Sequence, residues 1–203
     1  MIEAEFGDFV LRLETSPRLF SPAAVDRGTL AMLSLVELRP EDRVLDLGCG
    51  CGVVGIWAAR RLSPDQVVLC DVLPEAAELA RANAVRNGVG ACRVYESDGF
   101  RGFSERDFTL ILSNPPYHTD FSVAKHFIEE GFRRLQTGGR MFLVTKRRAW
   151  YENKLTAVFG GCRVREKDGY FVFCAEKRPK GAGRQEKKPE RKLSKKLARR
   201  YGK

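Results

Sequence analysis

Short apolar runs alternate with amphipathic segments along most of the chain, and this alternation predicts strands that are each followed by a helix. The apolar runs are Arg43–Leu47, Gln66–Asp71, Ala91–Tyr95, Phe108–Ser113 and Arg140–Thr145. The segments of helical composition are Val53–Leu62, Pro74–Asn87, Val123–Leu135 and Ala149–Phe159. Two last runs, Cys162–Glu166 and Tyr170–Glu176, are separated by Asp168-Gly169, which predicts a hairpin.

This order of elements predicts an α/β protein with a Rossmann-like, doubly wound architecture. We expect a mainly parallel seven-stranded sheet with helices on both faces, and the C-terminal hairpin as its antiparallel edge. Ligands bind beyond the carboxyl ends of the strands in such sheets. Asp46, Asp71, Asp98 and Asn114 each lie at such an end, so we expect them to line one pocket.

The positive charge of the chain is concentrated at its C-terminal end. The net charge is +10, yet residues 177–203 hold 13 Lys or Arg against 2 Glu, while the other 176 residues hold 23 Lys or Arg against 24 Asp or Glu. A block of like charge with few apolar residues is expected to be disordered when free. We therefore divide the chain into a folded domain at 1–176 and a basic tail at 177–203. Such a tail suits nucleic acid, although a tail that only aids solubility would have the same composition.

The chain lacks the features of membrane, secreted and metal-binding proteins. It has no run of 18 apolar residues and no basic segment followed by an apolar one at its start. Its six cysteines are scattered and only His118 and His126 accompany them. We therefore expect no metal site, no membrane association and reduced cysteines in a cytoplasmic protein.

The strongest chemical signal is Ser113-Asn114-Pro115-Pro116-Tyr117, which directly follows an apolar strand. Each proline fixes its own φ and lacks an N–H, and Pro115 restricts Asn114 as well. The resulting stiff turn presents an amide, carbonyl oxygens and an aromatic ring. It can accept hydrogen bonds from an –NH2 group while Tyr117 stacks on a flat ring. A plain Pro-Pro turn with a packed tyrosine is the structural alternative.

A glycine-rich turn, Gly48-Cys49-Gly50-Cys51-Gly52, follows the first of these strands. Its glycines let a ligand approach the backbone, and the helix after it offers free N–H donors. Gly50 also begins a G-x-G-x-x-G match with Asp71 about 20 residues on, as in dinucleotide-binding folds. Asp46 would repel a pyrophosphate but can pair with a cationic amino-acid group. We therefore favour S-adenosylmethionine as the cofactor over a nicotinamide dinucleotide.

The other acidic residues at strand ends each have two possible roles. Asp71 can accept hydrogen bonds from ribose hydroxyls, or it can supply negative charge at a helix N-terminus. Asp98 can accept from an adenine amine, or it can cap a turn with Gly99. We favour the cofactor roles, because these residues follow neighbouring strands of one predicted sheet.

Together these motifs resemble the class I S-adenosylmethionine-dependent methyltransferases. The order along the chain matches: a glycine loop, an acid after the second strand, Asp98 after the third and N-P-P-Y after the fourth. The segment from Phe20 to Thr29 further resembles the F-S-x-x-x-x-D-x-G-T segment of the ribosomal RNA small-subunit methyltransferase C family, which methylates the exocyclic amine of guanine. The resemblance implies that Asp26, Gly28 and Thr29 help to close the cofactor site near Asp46. A simple helix cap at Asp26 fits the same residues.

The function that this resemblance implies is direct methyl transfer to the exocyclic N2 amine of a guanine in 16S ribosomal RNA. The partner would be ribosomal RNA or the small ribosomal subunit. Asn114 and Pro115 would accept the two N–H bonds of the amine, and Pro116 would stiffen the turn. Tyr117 would stack on the base, which must be unpaired or taken out of its helix.

Three alternatives stay open. An adenine-N6 RNA methyltransferase is slightly favoured by Tyr117, where the family commonly has Phe. A protein glutamine N5-methyltransferase uses the same turn, and a non-catalytic RNA-binding ribosome-assembly factor could keep the same fold.

Members of the family commonly carry a second, non-catalytic domain ahead of this one, and the stretch before Phe20 is too short to hold it. We expect the basic tail to replace the RNA-binding role of that domain.

Overall fold

The computed structural model describes residues 1–19, 21–116 and 121–179, which form nine strands and five α-helices. The strands are β1 (Ile2–Phe6), β2 (Phe9–Leu13), β3 (Val44–Leu47), β4 (Val67–Asp71), β5 (Arg93–Glu96), β6 (Phe108–Ser113), β7 (Leu135–Thr145), β8 (Arg163–Lys167) and β9 (Tyr170–Glu176). The helices are α1 (Arg27–Leu33), α2 (Val53–Ala59), α3 (Pro74–Arg86), α4 (Ser122–Arg134) and α5 (Arg148–Phe159). A short 3₁₀ helix at Pro64–Gln66 precedes β4.

Seven strands form one sheet in the order β5-β4-β3-β6-β7-β9-β8. The first five run parallel, and β9 and β8 run antiparallel to their neighbours. Asp168 and Gly169 form the turn between β8 and β9 with φ values of +53° and +77°, as the two-residue hairpin turn with positive φ at both positions requires. The predicted doubly wound sheet with its antiparallel C-terminal hairpin is therefore confirmed.

The central strands bury both of their faces. Leu110 and Leu112 of β6 pack in one hydrophobic cluster with side chains of α1, α2 and α3, while Ile111 packs in a second cluster with side chains of α4 and α5. Successive strand side chains point to opposite faces. A strand that is covered on both sides therefore reads as a continuous apolar run, which is why the sequence pattern reveals these strands.

The first strands of the chain form a separate hairpin that the sequence analysis did not predict. β1 and β2 pair as a two-stranded antiparallel sheet. Leu11 and Leu13 are fully buried in the same cluster as side chains of α2 and α3. The guanidinium carbon of Arg61 lies 4.5 Å from the centroid of the Phe9 ring, which adds a cation–π contact. The hairpin therefore packs against the two helices that flank the glycine loop.

Two of the differences from the predicted boundaries affect the extent of the sheet and of the folded part. β7 begins at Leu135 rather than at Arg140, because an irregularity in its register with β6 lets Leu135 pair with Phe108. Lys177, which we assigned to the tail, forms backbone hydrogen bonds with Gly138-Gly139. The folded part therefore continues past residue 176. Residues 180–203 lie outside the described residues, and the expected disorder and role of the tail stay predictions.

Across the described ranges, no helix is both long and apolar enough to cross a lipid bilayer. Within the same ranges, no three His, Cys, Asp or Glu side chains are grouped in a way that could hold a metal ion.

The six cysteines are free thiols. Burial raises the pKa of Cys49 and Cys70 well above the ordinary value and that of Cys51 to about 11, so these thiols stay protonated at neutral pH.

Candidate active site

The predicted site residues lie at one edge of the sheet. Asp46 lies in β3, Asp71 ends β4, Asp98 follows β5 and Asn114 follows β6. These four strands are parallel neighbours, so the four side chains lie at the carboxyl edge, where ligands of such sheets bind.

The amide of Asn114 is held in one orientation. Its Nδ2 donates to Oδ2 of Asp26 at 2.9 Å and to Oγ1 of Thr29 at 3.0 Å. An ionised carboxylate only accepts hydrogen bonds, so the NH2 group must face Asp26. The other end of the amide, Oδ1, is buried and has no hydrogen-bond partner among the described residues. A buried acceptor without a partner costs about 1–3 kcal/mol. This oxygen is therefore suited to a ligand that brings an N–H donor.

Asp26 links three elements around Asn114. Its carboxylate is the N-cap of α1, accepting from the N–H of Thr29 at 3.0 Å. Its second oxygen accepts from the hydroxyl of Tyr170, at the start of β9, at 3.3 Å. A Cβ on Gly28 would lie 2.6 Å from the Tyr170 ring, so only glycine lets this ring pack here. The helix-cap role is thus observed together with a contact to Asn114, and the cofactor role of Asp26, Gly28 and Thr29 stays a prediction.

The glycine loop folds back on the end of β4. Gly48, Gly50 and Gly52 have φ values of +76°, +54° and +90°, a region that side chains with a Cβ rarely adopt. The N–H of Gly48 donates to the carbonyl of Cys70 at 2.9 Å. The N–H of Gly50 donates to Oδ2 of Asp71 at 2.8 Å. The loop is therefore built on left-handed glycines and pinned to the neighbouring strand.

Asp71 binds the loop and the start of α3 at once. Its Oδ1 accepts from the N–H of Leu73 at 3.0 Å, and its Oδ2 accepts from Gly50. A carboxylate has about four acceptor positions, so each oxygen can still accept a further hydrogen bond. The structural role is therefore observed, and the ribose-binding role remains compatible with it as a prediction.

Asp46 is a buried carboxyl group behind the loop. It is 2% exposed, and its Oδ2 accepts from the N–H of Gly55 at 2.7 Å. Burial raises its pKa from 3.8 to about 7, and the nearby charge of Asp71 adds a smaller increase. A cation bound beside Asp46 would favour the ionised form. The group is therefore suited to a ligand that carries a positive charge.

Asp98 and Gly99 form the turn after β5. The Asp98 carboxylate is exposed and pairs with Arg101. Gly99 has φ +61°, and a Cβ there would lie 2.8 Å from the His126 ring of α4. The turn role is thus observed, and the adenine-binding role stays a prediction. In the turn predicted to be catalytic, Pro115 is buried and Pro116 is exposed, while the predicted stacking residue Tyr117 lies outside the described residues.

Asn83 of α3 is a supporting residue that the sequence analysis missed. It is fully buried, and its Nδ2 donates to the carbonyls of Glu14 and Cys51, both at 2.9 Å. Its Oδ1 accepts from the N–H of Glu14 at 2.7 Å. One side chain therefore joins the end of β2 to the glycine loop. An asparagine in the middle of an alanine-rich helix has a poor helix propensity, and that mismatch is the signal that could have identified it.

Comparisons with known proteins agree with this architecture. A family model described as the methyltransferase small domain matches residues 10–174. Ribosomal RNA small subunit methyltransferase C from Pseudomonas putida (strain GB-1) is 32% identical over 178 residues, which cover 85% of this chain and 53% of that protein. The chain spans about half the length of the curated relatives it matches.

Two solved structures are also similar. The first is the T. thermophilus 16S rRNA N2 G1207 methyltransferase in complex with AdoMet and guanosine, with a TM-score of 0.80 and 27% identity over 87% of this chain and 50% of that chain. The second is TrmN from Thermus thermophilus, with a TM-score of 0.63 and 30% identity over 73% of this chain and 48% of that chain.

Proposed function

Since the chain belongs to the methyltransferase small domain family, we propose that it is an S-adenosylmethionine-dependent methyltransferase that acts on the exocyclic N2 amine of a guanine in 16S ribosomal RNA. The observation that carries this proposal is the amide of Asn114, whose NH2 end is fixed by Asp26 and Thr29 while its buried Oδ1 has no partner in the described part of the chain. The similar T. thermophilus structure supports it, because that enzyme is an N2 guanine methyltransferase in complex with AdoMet and guanosine.

The residues at the carboxyl edge fit this cofactor. The buried Asp46 carboxyl, with its pKa raised to about 7, suits the α-ammonium group, since a cation offsets the cost of burying a carboxylate. Asp71 retains acceptor positions for the ribose hydroxyls, and Asp98 with Gly99 borders the place expected for the adenine. When bound, S-adenosylmethionine supplies a methyl group that is activated by its sulfonium charge.

The protein contributes orientation to the chemistry. The lone pair of an amine on guanine is delocalised into the ring, which makes the nitrogen a weak nucleophile. Oδ1 of Asn114 accepts one N–H of that amine, and the carbonyl of Pro115 accepts the other. The two hydrogen bonds turn the lone pair toward the methyl group. Holding the reacting atoms in this way removes an entropic barrier that free reactants would face.

The decisive experiment offers labelled S-adenosylmethionine with separated ribosomal RNA, ribosomal subunits and release factors, followed by nucleoside digestion. Label in N2-methylguanosine is the expected result. Label in N6-methyladenosine would keep the mechanism and change the base. Label only in protein would favour the glutamine methyltransferase, and binding of cofactor without any transfer would count against an enzyme.

A substitution at the catalytic turn tests the role of the amide. Asn114→Ala should lower kcat by about a hundred-fold or more, as loss of a transition-state hydrogen-bond group does, with nearly unchanged cofactor affinity. Asn87→Ala is the matched control, because the Asn87 amide is likewise held by hydrogen bonds, here to the backbone of Arg12, but lies on the hairpin side of α3. A loss of cofactor binding in Asn114→Ala would contradict the assigned role.

The basic tail is part of the same proposal. Residues 177–203 carry 13 Lys or Arg against 2 Glu, and we assign to them non-specific RNA affinity that falls with salt. Deleting residues 180–203 should weaken RNA binding and flatten its salt dependence without affecting cofactor binding. Unchanged RNA affinity and an unchanged salt slope would refute the assignment.

A further inference from the structure

A basic segment that lies outside the tail in the sequence follows the strand next to the Asn114 turn. β7 runs parallel to β6, with Leu143 paired to Ser113, so the residues after Thr145 leave the sheet at the edge where Asn114 lies. The first three are Lys146, Arg147 and Arg148, and all three are exposed. Three cationic side chains therefore lie at the same edge of the sheet as Asn114.

Lys146 is connected to the catalytic amide through one aromatic ring. Its Nζ lies 4.9 Å from the centroid of the Tyr170 ring, and the Tyr170 hydroxyl donates to Asp26. Asp26 in turn accepts from the amide of Asn114. The Lys146 ammonium group therefore lies against the ring of Tyr170, which belongs to the hydrogen-bond network that orients Oδ1 of Asn114.

Arg147 lies beside a stacked aromatic pair. Its guanidinium carbon is 5.2 Å from the centroid of the Phe121 ring. The centroids of the Phe121 and Trp150 rings are 4.2 Å apart, and the ring planes are inclined by 11°. Both side chains are partly exposed. Phe121 precedes α4, which follows β6, and Trp150 lies in the first turn of α5, which follows β7, so this pair lies at the carboxyl edge of the sheet.

Among the described residues, no carboxylate neutralises the charge of Lys146 or Arg147. Arg148 pairs with Glu152 at 3.0 Å, whereas neither Lys146 nor Arg147 pairs with a carboxylate anywhere in the described ranges. Exposed cation–π contacts contribute only about 0.5–1 kcal/mol each. Packing on Tyr170 and Phe121 is therefore weak, and both exposed cations remain available to an anionic ligand.

We infer that Lys146, Arg147, Phe121 and Trp150 bind the single-stranded RNA that flanks the target nucleotide. The two cations contact phosphates on either side of the extruded base, and the aromatic pair offers a face on which a neighbouring base stacks. Cations that follow the backbone and rings that stack on bases are the combination by which proteins hold single strands. The inference rests on the proposed function, because it concerns the RNA substrate of that site.

The test measures binding of a labelled single-stranded RNA by fluorescence anisotropy between 50 and 300 mM salt, using the full chain. Each phosphate contact on a single strand contributes about 0.7 to the slope of log K against log salt, so Lys146→Gln combined with Arg147→Gln should lower the slope by about 1.4 and the affinity at 0.1 M salt by about 25-fold. The control combines Arg39→Gln with Arg106→Gln. These exposed arginines precede β3 and β6 at the opposite edge, and their replacement should change neither quantity.

The role of the aromatic pair is tested by a loss of RNA affinity that should not depend on the salt concentration. Phe121→Leu should weaken RNA binding by about five-fold or more, as loss of base stacking does, and leave the salt slope unchanged. Phe9→Leu is its control, because the Phe9 ring also contacts an arginine but belongs to β2 of the N-terminal hairpin. Cofactor affinity should be the same in all four variants.

The outcomes separate this inference from the function on which it rests. If the wild-type protein methylates RNA while the double variant at 146 and 147 keeps its slope and affinity, the inference is wrong and the proposed function stands. If the control variants shift as much as the rim variants, the effect comes from overall charge and the inference is again wrong. If the wild-type protein neither binds nor methylates RNA, both are wrong.

Discussion

Replacing Asp26 should slow methyl transfer far more than it weakens cofactor binding. The carboxylate of Asp26 holds the NH2 end of Asn114 at 2.9 Å, and this contact decides which end of the amide points into the site. Without it, Nδ2 keeps only the hydroxyl of Thr29. The amide can then rotate and present a donor where the substrate amine needs an acceptor.

The expected size of the effect follows from that hydrogen bond. Hydrogen bonds to charged groups contribute about 1.5–3 kcal/mol, and each 1.36 kcal/mol corresponds to ten-fold in rate. Asp26→Ala should therefore lower kcat by about 10- to 150-fold. It also removes the N-cap of α1, which costs about 1 kcal/mol of stability. Asp26→Asn keeps the cap and replaces the charged acceptor by a neutral one, so its kcat should lie between those of Asp26→Ala and the wild type.

The assay compares kcat with the dissociation constant of S-adenosylmethionine, measured by calorimetry, and with stability from urea unfolding. We expect the order wild type, Asp26→Asn, Asp26→Ala in kcat, with cofactor affinity changed by less than about three-fold. A fall in cofactor affinity that accounts for the whole loss of activity, with kcat at saturation unchanged, would refute this reasoning. Asp26 would then close the cofactor site, as the family resemblance implies.

Two further predictions concern buried charge. The pKa of Asp46 rises from 3.8 to about 7 through burial, so the folded protein keeps a proton that the unfolded chain has lost between these values. The contribution of Asp46 to the free energy of unfolding of the cofactor-free protein should therefore fall as the pH rises from 4 to 7, and the pH dependence in urea titrations should differ between the wild type and Asp46→Asn by this contribution. Arg140 and Asp42 form a buried pair at 2.8 Å, and Arg140→Ala should destabilise the protein by about 3–5 kcal/mol. Arg12→Ala, which breaks an exposed pair, should cost less than about 1 kcal/mol in the same urea experiment, and equal losses would contradict the argument.

The sheet could be predicted from the sequence because its strands are buried on both faces. β6 reads as a mostly apolar run, and its register with β3 and β7 places the end of each strand at a common edge. That arrangement alone brings Asp46, Asp71 and Asn114 together. The hairpin of β1 and β2 has only five residues in each strand. β1 alternates apolar and polar residues and is followed by Gly7-Asp8, a pattern that favours a hairpin. The packing of the hairpin on α2 and α3 is not visible in this local pattern.

The partners of the site residues could not be predicted in the same way. The contact between Asn114 and Asp26 joins residues 88 positions apart, and that between Tyr170 and Asp26 joins residues 144 positions apart. Strand order brings backbones together, but which side-chain atoms meet depends on rotamers and on close approaches such as that of Tyr170 to Gly28. The sequence indicates which residues carry the chemistry, and the three-dimensional packing decides how each one is turned.

The closing hairpin is therefore more than an antiparallel cover for the sheet. Through the first residue of β9, Tyr170, it contacts the carboxylate that fixes the catalytic amide, and the same ring lies beneath Lys146. A turn of two prolines can stiffen the backbone around Asn114, but it cannot choose between the two ends of an amide. That choice is made by α1 and β9, which lie before and after the parallel strands in the chain. Under the proposed function, the RNA surface and the Asn114 amide share one support, so the flanking phosphates would bind where they can hold the target base against Asn114.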